Sequence, residues 1–267
     1  MDSIRLGAVI YSPNVTIIWG IIADFMKEKG CEIEPVFFKD YKMQVDALIA
    51  GDIDIAWNSP LAWLDSYQRS KGTCLNGAMR DTDQNRHSVM IAKKGTKLLE
   101  LKGEKIGFGA IDSPQARLIP IYFLKENGLE RGEYEEVRFE VGVGLHGDHT
   151  GGELDALEAL KKGELKASWM LDLNYEKCVE NGSLDTSIYE AIVKTPNFDH
   201  CIFCGRADMS KASFELFSNT LKKMDYSNPA HKEMMDLEGL KKWVDGRLSG
   251  FEQITKAEKY LDFLKNV

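Results

Sequence analysis

Ala47-Leu48-Ile49-Ala50-Gly51-Asp52-Ile53-Asp54-Ile55-Ala56-Trp57 returns 112 residues later as Ala159-Leu160-Lys161-Lys162-Gly163-Glu164-Leu165-Lys166-Ala167-Ser168-Trp169. Each copy reads as a helix that stops at glycine, an acidic turn, and a short buried strand running into tryptophan. Glycine suits that stop because the residue after a helix often adopts a left-handed conformation that a β-carbon disfavours. A second echo lies upstream of each copy. Leu6-Gly7-Ala8-Val9-Ile10-Tyr11-Ser12-Pro13 resembles Ile106-Gly107-Phe108-Gly109-Ala110-Ile111-Asp112-Ser113-Pro114, with one residue inserted. Two echoes in the same order imply two similar α/β lobes, with a ligand cleft between them as the expected site.

The pass along the chain supports this. Strands are expected at Ile4–Ile10, Glu32–Phe38 and Ile53–Trp57, with helices at Val15–Lys29, Tyr41–Ala50 and Pro60–Ser70 between and after them. Ser88–Lys93 reads as the strand leaving the first lobe. Lys105–Ala110, a helix Pro114–Asn127, Val137–Val143, a glycine-rich loop Gly142–Gly152, a helix to Lys162 and the strand Ala167–Leu171 build the second. Ile188–Lys194 and His200–Cys204 read as short strands returning the chain. The expected lobes are 1–94 plus 205–267 and 95–204, with the helical stretch from Ser213 packed on lobe one.

The chain has 267 residues, a formal charge of -8 and 43% hydrophobic residues, which describes an acidic globular protein with enough length for two cores. No clustered basic footprint of a nucleic-acid binder is present, and no apolar run nears the roughly 20 residues that span a bilayer. Met1-Asp2-Ser3 leads straight into the first strand, without a signal peptide. That start predicts a cytoplasmic protein, or a periplasmic or extracellular one whose leader has been removed. Five cysteines, Cys31, Cys74, Cys178, Cys201 and Cys204, show no disulfide-framework spacing, which suits a reducing compartment.

Ser12-Pro13, Ser59-Pro60 and Ser113-Pro114 each follow an expected strand and open an expected helix. Serine is a preferred N-cap, and proline fits the first helical turn because no bond is lost with its missing N–H. Such corners are well-made helix starts in any protein. Three of them at the carboxyl ends of strands mark the edge where open α/β sheets bind ligands, and helix starts favour anions. Asn58 and Gln115 would add neutral donors there, and Arg117 a charge.

Tyr11-Ser12-Pro13, Asp40-Tyr41 before a helix, Gly51-Asp52-Ile53-Asp54-Ile55-Ala56-Trp57-Asn58-Ser59-Pro60-Leu61-Ala62, Arg86-His87-Ser88-Val89 and Asp112-Ser113-Pro114-Gln115-Ala116 together resemble the phosphonate/phosphate-type substrate-binding proteins of ABC transporters. The resemblance covers about residues 4–210 and implies a type 2 periplasmic-binding-protein fold, a clamp that closes on a small anion such as a phosphonate, phosphate ester or carboxylate. It implies ligand contacts from Tyr11, Asn58, Ser59, Ser113 and His149, with Ser12, Tyr41, Gln115, Arg117 and Asp172 as further candidates, and an ABC permease as partner if the protein is exported. Ser-Pro-Gln-Ala at 113–116 departs from the Ser/Thr-rich turn usual in that family.

His146-Gly147-Asp148-His149 and Asp199-His200-Cys201-Ile202-Phe203-Cys204 hold three of the five histidines. Imidazole and thiolate suit zinc or iron, so a metal held by His146, His149 and His200 is the competing expectation. Cys201 and Cys204 are poorer candidates as a pair, because on a strand they face opposite ways. The Phe-Cys ending is similar to a segment of the thiamine-pyrimidine synthases, cytoplasmic enzymes of the same fold, and implies a metal-dependent enzyme acting on a small heterocyclic or carboxylated substrate. The other reading makes the histidines plain ligand contacts and the cysteines buried small hydrophobes. Trp57 and Trp169 fit a ligand wall and a packed core equally. No dinucleotide, P-loop or nucleophile-elbow pattern occurs.

Overall fold

The computed structural model describes residues 3–147 and 150–266. In chain order the elements are β1 (Ile4–Val9), α1 (Val15–Glu28), β2 (Ile33–Phe38), α2 (Tyr41–Ala50), β3 (Ile55–Asn58), α3 (Pro60–Arg69), β4 (Leu75–Asn76), β5 (Ala78–Arg80) and β6 (Ser88–Lys93). There follow β7 (Lys105–Phe108), α4 (Ile119–Glu126), β8 (Glu135–Arg138), α5 (Gly151–Lys161), β9 (Ala167–Leu171), α6 (Asp172–Glu180) and β10 (Tyr189–Lys194). The chain ends with β11 (Ile202–Gly205), α7 (Lys211–Leu221), α8 (Pro229–Glu238), β12 (Trp243–Asp245) and α9 (Glu252–Leu261).

Two units result: residues up to Gln84 with Asp199–Phe251, and Asn85–Phe198 with residues from Glu252 on. The first unit holds a five-stranded sheet in the order β2-β1-β3-β11-β4 and a small β12-β5 ribbon. The second holds a sheet in the order β10-β6-β9-β7-β8. Written from the other edge, the second order is β8-β7-β9-β6-β10, the same plan as the first. β1 in the first unit and β7 in the second each lie parallel between two others, and the repeated strand has an antiparallel neighbour on its far side.

The two sequence echoes are physically coupled. Gly51 and Gly163 end their helices with φ of 82° and 78°, where a β-carbon would be strained. The next turn then hooks back identically: Asp54 N–H donates to Arg5 O, and Lys166 N–H to Lys105 O, both at 2.8 Å. A β-carbon on Gly7 would lie 2.5 Å from Ile53 Cδ1, and one on Gly107 would lie 2.6 Å from Leu165 Cδ1. Gly7 of β1 and Gly107 of β7 therefore each make room for the apolar residue of the eleven-residue motif.

The unit boundaries differ from the sequence expectation. β6 belongs to the second sheet, paired antiparallel with both β9 and β10, and β11 belongs to the first, beside β3 and β4. Each crossing strand joins the sheet it enters. The reason is burial on both faces: Met90 and Ala92 enter one core of the second unit, Val89 and Ile91 the other. The helix α9 also packs in the second unit, through Tyr260 and Leu261, whereas α7 and α8 contribute Phe214, Phe217, Leu221, Met234 and Met235 to the first core. Trp57 packs with Phe203 and Trp243, and Trp169 is wholly buried against Phe123, so both tryptophans are core residues.

Candidate functional site

In the first unit, β3 runs into α3 through Asn58, Ser59 and Pro60. Ser59 is the N-cap, accepting a bond from Ala62 N–H at 3.2 Å, and Pro60 takes the first helical position. Helix geometry leaves the first backbone donors without partners inside the helix. Proline removes one and the serine satisfies another, so Leu61 N–H remains for an outside acceptor. Asn58 is fully buried: its carbonyl accepts from Gln44 Nε2 at 2.8 Å and its amide donates to Ser66 Oγ at 3.1 Å. Its side chain thus secures α2 and α3 to the strand end. Tyr41, 1% exposed, is a core side chain at the start of α2, whose cap is Asp40.

The Ser12-Pro13 corner is built differently from expectation. Asn14, not Ser12, precedes α1, and Val15 N–H turns back to Ser12 O at 3.2 Å. Tyr11 donates its phenol proton to Glu238 at 2.9 Å, and Glu238 also accepts from Arg80 at 3.2 Å. Arg80 grips Asp83 with two bonds, 2.7 and 2.8 Å, and its guanidinium stands 5.4 Å from the centre of a Trp57 ring. Burial pushes the Glu238 carboxyl up, against the downward pull of Arg80. Arg80, Asp83 and Glu238 escaped the sequence reading. Arg80 and Asp83 lie three apart around a short 3-10 turn, Asp81–Asp83, which is a readable signal; Glu238 is 227 residues from Tyr11 and has none.

In the second unit, Ser113 caps the π-helical turn Pro114–Leu118, accepting from Ala116 N–H at 3.1 Å, and is 2% exposed. The Gln115 side-chain amide donates to Gly147 O at 2.8 Å and to Glu153 at 3.2 Å, and the Gln115 backbone carbonyl accepts from Ser88 Oγ at 2.5 Å. The glycine-rich loop is thereby fastened to the helix start. A β-carbon on Gly147 would lie 2.1 Å from the Gln115 amide, so the close approach requires glycine there. Asp112 accepts from Gly144 N–H at 2.6 Å and has His146 Nε2 at 3.7 Å. Burial lowers the His146 imidazole to about 3 and raises the Asp112 carboxyl, so both shifts favour the uncharged forms. His149 lies outside the described residues.

Arg117 is 5% exposed and bonded to Glu136 at 2.6 Å and to Ile111 O at 2.9 Å. Its charge is matched within the unit. Glu153, also buried, accepts from Leu171 N–H at 2.9 Å and Asn174 at 2.7 Å; burial raises its carboxyl despite those bonds. Asp172 opens α6, accepts from Leu173 N–H at 2.9 Å and has Arg86 at 3.7 Å.

The histidines expected to share a metal have different surroundings. His146 has Asp112 beside it in the second unit. His200, in the first, has Cys201 Sγ at 3.1 Å and Asp83 at 3.8 Å. Among the described residues, Asp83, His200 and Cys201 form the cluster of three potential ligands. Cys201 shares the first core with Phe203, while the Cys204 thiol meets Cys74 and Asn58. The strand alternation read from sequence separates the two cysteines as expected. All five cysteines are free thiols and buried.

A cavity of about 760 Å³ opens in the first unit, lined by Arg5, Lys27, Asp54, Arg206 and Ser210 among others. It lies at the amino-terminal end of β1, and Asp54 already pairs with both arginines at 3.0 Å. Ligands of open α/β sheets bind at the opposite, carboxyl ends.

A strand plan repeated in two units, with serine-capped helix starts after β3 and β7, defines a two-unit α/β ligand-binding protein of the type 2 periplasmic-binding-protein fold. The chain belongs to the family described as ABC transporter, phosphonate, periplasmic substrate-binding protein, which matches residues 10–251. It is 22% identical over 256 residues to the probable ABC transporter phosphite binding protein PhnD1 of Prochlorococcus marinus, covering 91% of this chain and 83% of the relative. The solved structure of that organism's PhnD1 with methylphosphonate superposes with a TM-score of 0.73 at 18% identity, covering 97% of this chain and 98% of the other. XAC2383 from Xanthomonas citri, bound to ATP, gives a TM-score of 0.74 at 14% identity, covering 100% and 99%. Membership in a family of binding proteins favours the small-molecule binder over the metal-dependent enzyme. No helix among the described residues is long and apolar enough to cross a membrane.

Proposed function

We propose that this chain reversibly binds a small oxyanion of the phosphonate class at the carboxyl-terminal strand edges of its units. The observation that carries the reading is the pair of serine-capped, proline-started helices after β3 and β7. Each cap oxygen accepts from its own helix, which fixes the helix start in the geometry an anion would meet. With the neighbouring backbone N–H and the partial positive charge of a helix start, each corner favours an anion. Tyr11, Ser12 and Asp172 stand at or beside strand ends and are the proposed accessory contacts, with His149 from the glycine-rich loop. Asn58, Gln115 and Arg117 act one step back, holding the corners in shape. Family membership supports a periplasmic protein that delivers its ligand to an ABC permease.

The test is titration calorimetry of methylphosphonate into the parent chain and the variants Ser59→Ala and Ser113→Ala. A hydrogen bond to a charged group contributes about 1.5–3 kcal/mol, so each variant should bind roughly tenfold or more weakly. Unchanged affinity in both folded variants would remove the corners from the site.

A further inference from the structure

We propose that Asp83, His200 and Cys201 form a site for one divalent transition-metal ion of zinc's type, made of residues other than those assigned to the anion corners and argued independently of that reading. The three donors are buried, 2%, 6% and 1% exposed, and their ligand atoms lie within 4.8 Å of one another. Metal bonds of about 2.0–2.3 Å in a tetrahedron place neighbouring ligand atoms about 3.3–3.6 Å apart. His200 Nδ1 stands 3.1 Å from Cys201 Sγ and 3.8 Å from Asp83 Oδ1. Those two separations straddle the tetrahedral edge, and the third lies within the 4.8 Å that encloses the cluster.

The backbone holds these donors in place without a metal. His200 N–H donates to Asp83 O at 2.8 Å, and Asp199 N–H donates to Gly250 O at 2.8 Å. The Asp199 carboxylate takes Arg247 with two bonds of 2.7 Å. A β-carbon on Gly250 would lie 2.1 Å from Asp199, so that approach is as close as glycine permits. Donors on a fixed frame need little ordering when the ion arrives.

Charge is the objection to answer. Arg80 already binds both oxygens of Asp83, and a guanidinium repels a second cation. A carboxylate has about four acceptor positions; Arg80 takes three of them, both on Oδ2 and one on Oδ1, which leaves the second lone pair of Oδ1, the oxygen nearer His200, for an ion. Cys201 would lose its proton to the ion, since the thiolate is the ligand form, and Glu238 also faces Arg80. Asp83, a Cys201 thiolate and Glu238 together offset the guanidinium and the dication. One nitrogen, one sulfur and one carboxylate suit zinc rather than magnesium or calcium, and three protein ligands leave one position for water or an added ligand. Asp83 directly precedes the chain's first passage out of its unit and His200 follows the second, so the ion would cross-link those two segments.

The test uses the full chain, reduced and freed of metal by chelator, titrated with Co²⁺ and then Zn²⁺. One equivalent of Co²⁺ should produce thiolate-to-cobalt charge-transfer absorption that zinc displaces. Cys201→Ser should abolish that absorption, and His200→Gln should weaken zinc binding by at least as much as losing an outer-shell partner does, about tenfold or more. The double variant Cys74→Ser/Cys204→Ser should keep it. X-ray absorption on the parent's zinc complex, which needs no variant to fold, should show one sulfur at about 2.3 Å. No stoichiometric binding, a shell without sulfur, or absorption that survives Cys201→Ser but not Cys74→Ser/Cys204→Ser would overturn the proposal.

Discussion

Gly7→Ala is the sharpest probe of how the repeat is built. The added methyl would sit 2.5 Å from Ile53 Cδ1, with Gln44 Cγ and Phe38 Cε2 each at 3.2 Å. Forcing one carbon into a packed core costs about 1–3 kcal/mol. Ile53→Val removes the atom that clashes and alone costs about 0.5–1.5 kcal/mol as a cavity. Made together, the two changes fill the vacated space with the new methyl. The double variant should therefore be less destabilised than the sum of the singles by about 1 kcal/mol or more, a coupling expected of residues in contact. Gly20→Ala is the contrast: nothing lies within 4 Å of its added carbon, in the middle of α1. It should stabilise by about 0.5–1 kcal/mol. Urea unfolding of the parent and these variants gives the numbers. Additivity of Gly7→Ala and Ile53→Val within about 0.5 kcal/mol would refute the argument, because independent sites add to that precision.

Two further outcomes follow from the second unit. His146 holds its proton in the folded chain only below about 3, whereas an unfolded histidine takes one near 6.5. Its neutral state thus contributes stability that is fully present above pH 6.5 and lost as pH falls toward 3, by up to about 1.4 kcal/mol per pH unit. His146→Gln should flatten the acid side of a stability-pH curve measured by urea unfolding; an unchanged slope would contradict the burial of that imidazole. Arg117→Ala should lower stability by about 3 kcal/mol, the loss typical of breaking a buried pair, because among the described residues the Glu136 carboxylate is left with the longer Arg138 pair at 3.8 Å. Intact stability with lost anion affinity would instead return Arg117 to the ligand.

The sequence carried the architecture well where local chemistry sets it. The glycine stop, the buried strand and the tryptophan of each copy appear in α2–β3 and α5–β9, and Tyr41–Ala50, Ser88–Lys93 and Ala167–Leu171 match the observed elements end for end. Where partners are distant in sequence the reading lost detail. β6 and β11 each belong to the sheet on the far side of a crossing, which no local pattern encodes. The strand expected at Val137–Val143 is β8 at Glu135–Arg138, because pairing with β7 sets its register from Glu135 and the chain turns through Gly142 and Gly144 at positive φ. Two of three serine corners are true caps; at the third, Asn14 takes the cap position. Asn58 and Arg117 stand at strand-end corners, as a ligand contact would, yet their polar groups meet Gln44, Ser66 and Glu136. Only the folded chain reveals those partners.

The most direct measurement is calorimetric titration of the full chain at fixed ionic strength with methylphosphonate, phosphite, phosphate, an alkylsulfonate and a neutral amide of similar size. Saturable binding of one equivalent to a phosphonate-class anion, with no heat from the amide, is the predicted result. No binding to any oxyanion, or equal binding of the neutral compound, would contradict the claim that these helix starts are built for a small anion.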